Sequence, residues 1–265
     1  MTELHWNDRV YGESSITHPD LLNLIESPTF RRLRGVRQAG PSAIAFPFKT
    51  VTRHEHCLGV HLLLRRLGAG WKEQVAGLLH DISHTAFSHA VDFVISSEEQ
   101  DHHERLKPIL LNRPDIKAAI VKLGFQPADF YDDSIYPLLE RPLPWLCADR
   151  LDYFMRDGLA CGEVEQSEVE QFLGSLAVVD STIVLTDLDA AQSLVAGFSA
   201  MNEEWWAGPV EAFIYNEFAD VLREGLRRSI IDEADLLTED DIVLAKLDAS
   251  NNPLIAEKLA AIRHF

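Results

Sequence analysis

The run VAGLLHDISHTAFSH, residues 75–89, constrains this chain more than any other stretch. An apolar segment with helical spacing ends in His80 and Asp81, and His84 and His89 follow closely. Imidazoles and a carboxylate at the end of a core helix are costly to bury without partners, so other elements must bring complementary groups to meet them. If the helix continues, His80 and His84 share a face and Asp81, rotated by about 100°, can lean toward the same ion. His89 would then point away. It joins the site only if the helix ends near His84 and TAFS doubles back.

The rest of the chain supplies helices to meet that end. Thr17 with Asp20, and Ser27 followed by Pro28, carry the marks of helix starts. Thr52 stands three residues before Glu55 at the capping-box spacing, which puts His56 in the first turn of an amphipathic helix that stops near Gly68. Further helices are read in HERLKPILL, DIKAAIVKLG, PLPWLCADRLDYFMRDG, LDAAQSLVAGFSAMNEEWW, EAFIYNEFADVLREGLRRSII, TEDDIVLAKL and NNPLIAEKLAAI. LAVVDSTIVLTD places β-branched residues on both sides of a polar DST and reads as a hairpin within residues 176–187. The expected fold is mainly α with one or two small β-hairpins. A core over residues 1–160 would carry the site, and residues 161–265 would pack on it as one domain.

Charge narrows the function. A formal charge of −18 over 265 residues opposes binding to duplex nucleic acid or an anionic membrane, both of which require excess Lys and Arg. A small phosphorylated ligand needs only local positive charge. Cys57, Cys147 and Cys161 are scattered without CxxC spacing, as expected of buried thiols in a reducing cytoplasm. No stretch approaches the roughly 20 apolar residues of a membrane helix, and the N-terminus lacks the pattern of a signal peptide. A cytoplasmic protein is expected, and a homo-oligomer is compatible with the sequence.

His56, the pair His80-Asp81, and Asp149 in CADRLDYFMRDG come from three separate helices. Imidazole nitrogens and carboxylates suit a divalent ion such as Fe, Mn, Co, Ni, Zn or Mg, and four protein donors leave positions open for water and substrate. Tyr153, Arg156 and Asp157 recur on nearly the same face of the Asp149 helix.

This H…HD…D order resembles the HD-domain metal-dependent phosphohydrolases. SPTFRRLRGVRQAG with FPF, TRHEHCLGV, GLLHDISHTAFSHAVD, HHERL and DRLDYFMRDG are similar to the branch containing the deoxynucleoside triphosphate triphosphohydrolases, over residues 17–160. The resemblance implies an HD-domain helical fold with His56, His80, Asp81 and Asp149 as metal ligands. It assigns His84, His89, Asp92, His103 and Glu104 to the active site. Gln38 would contact a sugar hydroxyl, and Arg53, Arg150, Tyr153 and Asp157 would contact phosphate and sugar. A histidine oriented by a carboxylate is the usual acid for a leaving oxygen, which points to His89 with Asp92 or to His103 with Glu104. His84 suits either a contact behind a metal ligand or one to phosphate.

The chain departs from that branch where a triphosphate would be held. From Gly158 through Leu222 there is no Lys, Arg or His, and Ala39 replaces the usual leucine beside Gln38. A tail of about four negative charges is poorly served by Arg53, Arg150 and one metal. Arg31, Arg32, Arg34 and Arg37, or a neighbouring subunit, are the other sources of charge. The expected activity is hydrolysis of a phosphate ester of a nucleotide or similar small molecule. The alternatives are a triphosphohydrolase proper, a regulatory nucleotide-binding module with little turnover, and a di-iron oxygenase in which His84 and His103 hold a second metal.

Overall fold

The computed structural model describes residues 3–94 and 102–265. The chain enters through a hairpin of β1 (Leu4–Asp8) and β2 (Gly12–Ile16), antiparallel with Leu4 opposite Ile16. Asp8 Oδ1 closes its turn by accepting from Val10 N–H at 2.9 Å and Tyr11 N–H at 3.1 Å, and Gly12 takes the left-handed φ of 68°. The sequence reading did not place this hairpin. Helix α1 (Pro19–Ile25) follows, and its N-cap is His18 with no side-chain cap bond, so the expected cap at Thr17 is not made. Pro19 fixes the first turn instead. Ser27 does cap a short helical turn at Pro28–Arg31, accepting from Phe30 N–H at 3.4 Å.

The centre of the molecule is α2 (Arg53–Arg66) packed on α3 (Trp71–Leu79). Thr52 caps α2 by accepting from Glu55 N–H at 3.2 Å, but the Glu55 carboxylate leaves the capping box for Arg9 and Arg156. Helices α4 (His102–Leu111) and α5 (Pro114–Lys122) lead to α6 (Ala148–Cys161), which lies against α2. Gly59 permits that approach, because a Cβ there would collide with Arg156 and Asp152. Helix α7 (Gln166–Ser175) runs into the hairpin of β3 (Leu176–Val179) and β4 (Thr182–Leu185), whose turn residues Asp180 and Ser181 both have positive φ. Helix α8 (Leu188–Met201), a π-helical turn at Asn202–Trp206, and helices α9 (Pro209–Arg227), α10 (Asp240–Ala249) and α11 (Pro253–Ile262) complete the chain. Mainly helical architecture with two small hairpins is the fold class the sequence implied.

Apolar packing does not divide at residue 160. One core runs from Val10 through Met201 and takes in Val164, Phe172, Ile183 and Leu194. A second core joins Ile214, Phe218, Val243, Leu247, Ile255 and Leu259 to Ala86, Phe87, Ala90 and Val91. The C-terminal helices therefore pack on the turn that follows the His-Asp pair. Each fully buried Leu or Phe contributes roughly 1.5–3 kcal/mol, so this contact holds the turn firmly.

Candidate metal centre

Three helix ends converge on one point. His56 lies in the first turn of α2, His80 and Asp81 directly follow α3, and Asp149 lies in the first turn of α6. His56 Nε2 is 3.1 Å from His80 Nε2, and Asp149 Oδ1 is 2.8 Å from the first and 3.4 Å from the second. Asp81 closes the group, 3.6 Å from His80 Nε2 and 3.8 Å from His56 Nε2.

The outer nitrogens set the tautomers. His56 Nδ1 is 2.7 Å from Asp152 Oδ2 and His80 Nδ1 is 2.8 Å from Gly77 O, and both partners only accept. Each Nδ1 thus carries the proton, and two Nε2 lone pairs and a carboxylate oxygen face one another. Against burial, the surrounding carboxylates favour positive charge here, raising both histidines above their ordinary range, and a divalent ion ligated by His56, His80, Asp81 and Asp149 suits the donor set. Asp152 was missed by sequence reasoning although it lies three residues from Asp149. Its role depends on the rotation of α6 against α2. Arg156 and Tyr11 OH donate to Asp152 in turn, and Arg156 is itself held by Asp8, so Arg156 serves this buried network and not the cavity.

Helix α3 ends at Leu79, so His80 and His84 do not share a helical face as the sequence suggested. A turn replaces the helix. His84 Nε2 meets Asp81 Oδ1 at 3.1 Å, and left-handed residues at Phe87 and Ser88 bring His89 back, as the doubling of TAFS required. The rings of His84 and His89 lie 4.7 Å apart, and His103 from α4 stacks on His84 at 4.6 Å. Buried Asp92 holds His89 at 3.2 Å and His103 at 3.4 Å. The His89–Asp92 pairing is formed, whereas Glu104 is exposed on the cavity rim and Asp92 takes its expected place beside His103. Burial, reinforced by the Arg53 cation, pulls His84 well below the ordinary histidine range and keeps it neutral. His89 is exposed to the cavity, with Nδ1 held by Asp92. Burial and Arg34 bring His54 down to about 3, which makes it a neutral core residue.

These groups line a cavity of about 810 Å³. Arg53 enters it, donating to Asp81 Oδ2 at 2.7 Å and Ser88 Oγ at 3.0 Å. At the far end Asp157 Oδ2 accepts from Gln38 Nε2 at 3.4 Å and Trp206 Nε1 at 3.2 Å, and burial raises its pKa. Tyr153, Phe198 and Trp206 form an aromatic wall there, with Trp206 edge-on to Tyr153 at 5.2 Å. Arg150 is not brought in: its guanidinium donates to Trp145 O, Arg141 O and Cys147 Sγ in the preceding loop. Arg31, Arg32 and Arg34 do not line the cavity either; Arg32 turns inward to Ile82 O and Arg34 pairs with Glu26. Lys49 and Tyr215 do line it, and neither was marked by the sequence. Lys49 Nζ is saturated by Ser42 Oγ, Trp205 O and Glu211 Oε2 at 3.0–3.1 Å, and so ties the π-helical turn to the loop before α2.

A helical fold with His, His-Asp and Asp gathered on one cation site defines an HD-type metal centre. The HD domain family model matches residues 53–123. The chain is 37% identical over 257 residues to the uncharacterised protein YdhJ of Bacillus subtilis, covering 97% of this chain and 79% of that one. It is 34% identical over 224 residues to the metal-dependent phosphohydrolase cns2 of Cordyceps militaris, covering 82% and 65% of the two chains. Over 102 residues it is 37% identical to the deoxynucleoside triphosphate triphosphohydrolase SAMHD1 of Gallus gallus, 33% of this chain and 16% of that one. A hypothetical protein from Aquifex aeolicus has the same fold, with a TM-score of 0.76 at 22% identity over 99% of this chain and 75% of that one. The chain belongs to the HD-domain family, and it is a hydrolase of that superfamily with a divalent-metal site. Among the described residues no helix is long and apolar enough to cross a membrane.

Proposed function

We propose that this chain hydrolyses a phosphate monoester of a nucleotide or a similar small phosphorylated molecule. One observation carries the reading: the cation site, a carboxylate-backed histidine and an aromatic wall share one cavity of nucleotide size. A divalent ion at His56, His80, Asp81 and Asp149 supplies Lewis acidity toward water and the phosphoryl group. Arg53 holds phosphoryl oxygens, and neutral His84, with Nε2 on Asp81, steadies that ligand. The water oxygen adds to phosphorus as the ester oxygen departs; one water proton passes to solvent and the other stays on the product phosphate, while His89, oriented by Asp92, gives the departing oxygen its proton and is reprotonated from solvent. Gln38 and Asp157 hold sugar hydroxyls, and Tyr153 with Trp206 excludes water from that end.

Charge supports a short phosphate tail. Eight carboxylates and three Lys or Arg side chains line the cavity. Arg53 is paired with Asp81, Lys49 with Glu211 and Lys107 with Asp133. A triphosphate needs several unpaired donors, each worth about 1.5–3 kcal/mol. The likeness to SAMHD1 favours the second reading, a triphosphohydrolase. The deciding measurement is kcat/KM for matched mono-, di- and triphosphates of one nucleoside with Mn, Co, Ni and Mg. Preference for the monophosphate is expected; preference for the triphosphate with intact inorganic triphosphate as product sinks the first reading.

A further inference from the structure

The C-terminal core meets the site at the Phe87–Ser88 turn. Both residues hold left-handed backbone, with φ of 61° and 52°, a conformation that persists in residues with side chains only when surrounding contacts enforce it. This turn returns His89 to His84. Phe87 N–H donates to Asp240 Oδ1 at 2.7 Å, and Ala86 N–H donates to Leu236 O at 2.8 Å. Ser88 Oγ donates to Arg37 O at 2.7 Å. The second oxygen of Asp240 accepts from Arg37 N–H at 2.8 Å, immediately before Gln38. Asp240 is 4% exposed, touches none of the metal ligands, and forms no ion pair among the described residues. Gly40, with φ of 56°, packs on the same turn; a Cβ there would lie 2.7 Å from Phe87 O.

We propose that Asp240, from the first turn of α10, is a positioning residue that clamps the Phe87–Ser88 turn and the Arg37–Gln38 segment together, fixing His89 and Gln38 relative to substrate. One carboxylate accepts from both segments, so the geometry of acid and sugar contact is set by a single group just over two hundred residues from Gln38 in sequence. A carboxylate can accept both amides at once. An asparagine keeps one acceptor oxygen but turns an N–H donor toward another donor.

The activity arm of the test rests on the phosphohydrolase reading, and a spectroscopic arm does not. Asp240→Asn and Asp240→Ser are loaded with Mn(II) and assayed at pH 8 on phenyl phosphate and p-nitrophenyl phosphate, and metal content and melting are measured alongside. The histidine-ring NMR signal of His89, assigned with a His89→Gln variant, is followed in the metal-free chain. Metal content is expected to hold, kcat on phenyl phosphate to fall by about 10–100-fold, and kcat on p-nitrophenyl phosphate, which needs little acid assistance, to fall far less. The His89 signal is expected to move. Equal losses on both esters, or an unmoved His89 signal, overturn the assignment. If the wild-type chain turns over neither ester, the phosphohydrolase reading is in doubt and the NMR arm alone decides whether Asp240 positions His89.

Discussion

The two ends of the cavity are built by different means. At the metal end, His56, His80 and Asp149 stand at helix termini, and the outer nitrogens of the two histidines are fixed by Asp152 and Gly77 O. At the aromatic end, Trp206 sits in a π-helical turn and Gln38 in a loop, and weaker contacts of 3.2–3.4 Å to Asp157 join them. Rigid helix ends suit an ion that tolerates little misplacement, whereas a π-turn can be re-aimed without disturbing the core. The lesson is that one metal centre can serve different substrates while loops decide which phosphate ester fits.

Mutations should separate the two ends, with the largest effect at the metal. Asp149→Asn removes a ligand charge while keeping the side chain's size and shape. Bound metal measured by atomic emission should fall to background with turnover, while the far-UV spectrum stays helical. Retention of stoichiometric metal at full rate would remove the basis of the site.

His89→Gln tests whether the same end divides into ligands and acid. Metal content should persist while kcat falls by about 10²–10⁴-fold, least for esters with good leaving groups. Loss of metal along with rate would instead make His89 a ligand and bring in a second ion with His84 and His103.

At the aromatic end Trp206→Leu should act on binding. An aromatic contact contributes about 0.5–1.5 kcal/mol beyond its area, so KM for a nucleoside monophosphate should rise roughly three- to tenfold with kcat little changed. An equal fall in kcat would show that the wall also aligns the reacting phosphate, and the contrast between the ends would weaken.

The smallest effect on turnover, and the one that probes the link between the ends, is a pH dependence of stability. Burial, with Asp241 adding to it, pushes Asp240 up to about 7, against about 3.9 in an unfolded chain. Between those values the folded chain holds a proton that the unfolded chain releases. Wild type should therefore gain stability over Asp240→Asn as pH falls from 7 toward 4, and the difference should be constant above 7. Urea unfolding at stepped pH measures it; a difference independent of pH would show Asp240 ionised throughout.

Much of the metal end could be read from one sequence because its signals are local. The Thr52 cap placed His56 in a first turn, the adjacency of His80 and Asp81 offered two donors, and Asp149 opened a helix with clear spacing. The hairpin at Leu176–Leu185 was equally plain from its β-branched residues on both sides of the polar DST. The N-terminal hairpin was not, since LHWND and GESSI are short and weakly alternating and gain their burial only by packing on other elements. His84 was placed on a helix that ends before it, because nothing local shows that Arg32 and Asp240 take up the backbone groups of the turn.

The sequence by itself determined which atoms can bind a metal and which segments are helical, since ligand chemistry and helical period are properties of residue type and spacing. Only the tertiary structure decided that Asp152 orients His56, that Arg150 and Arg156 turn away from the cavity, that Lys49 is consumed by Glu211, and that Asp240 holds the turn carrying His89. Those outcomes depend on how helices are rotated and where a remote chain end comes to rest. A side chain's partner in a packed interior is fixed by distance in space, which residue spacing along the chain does not encode.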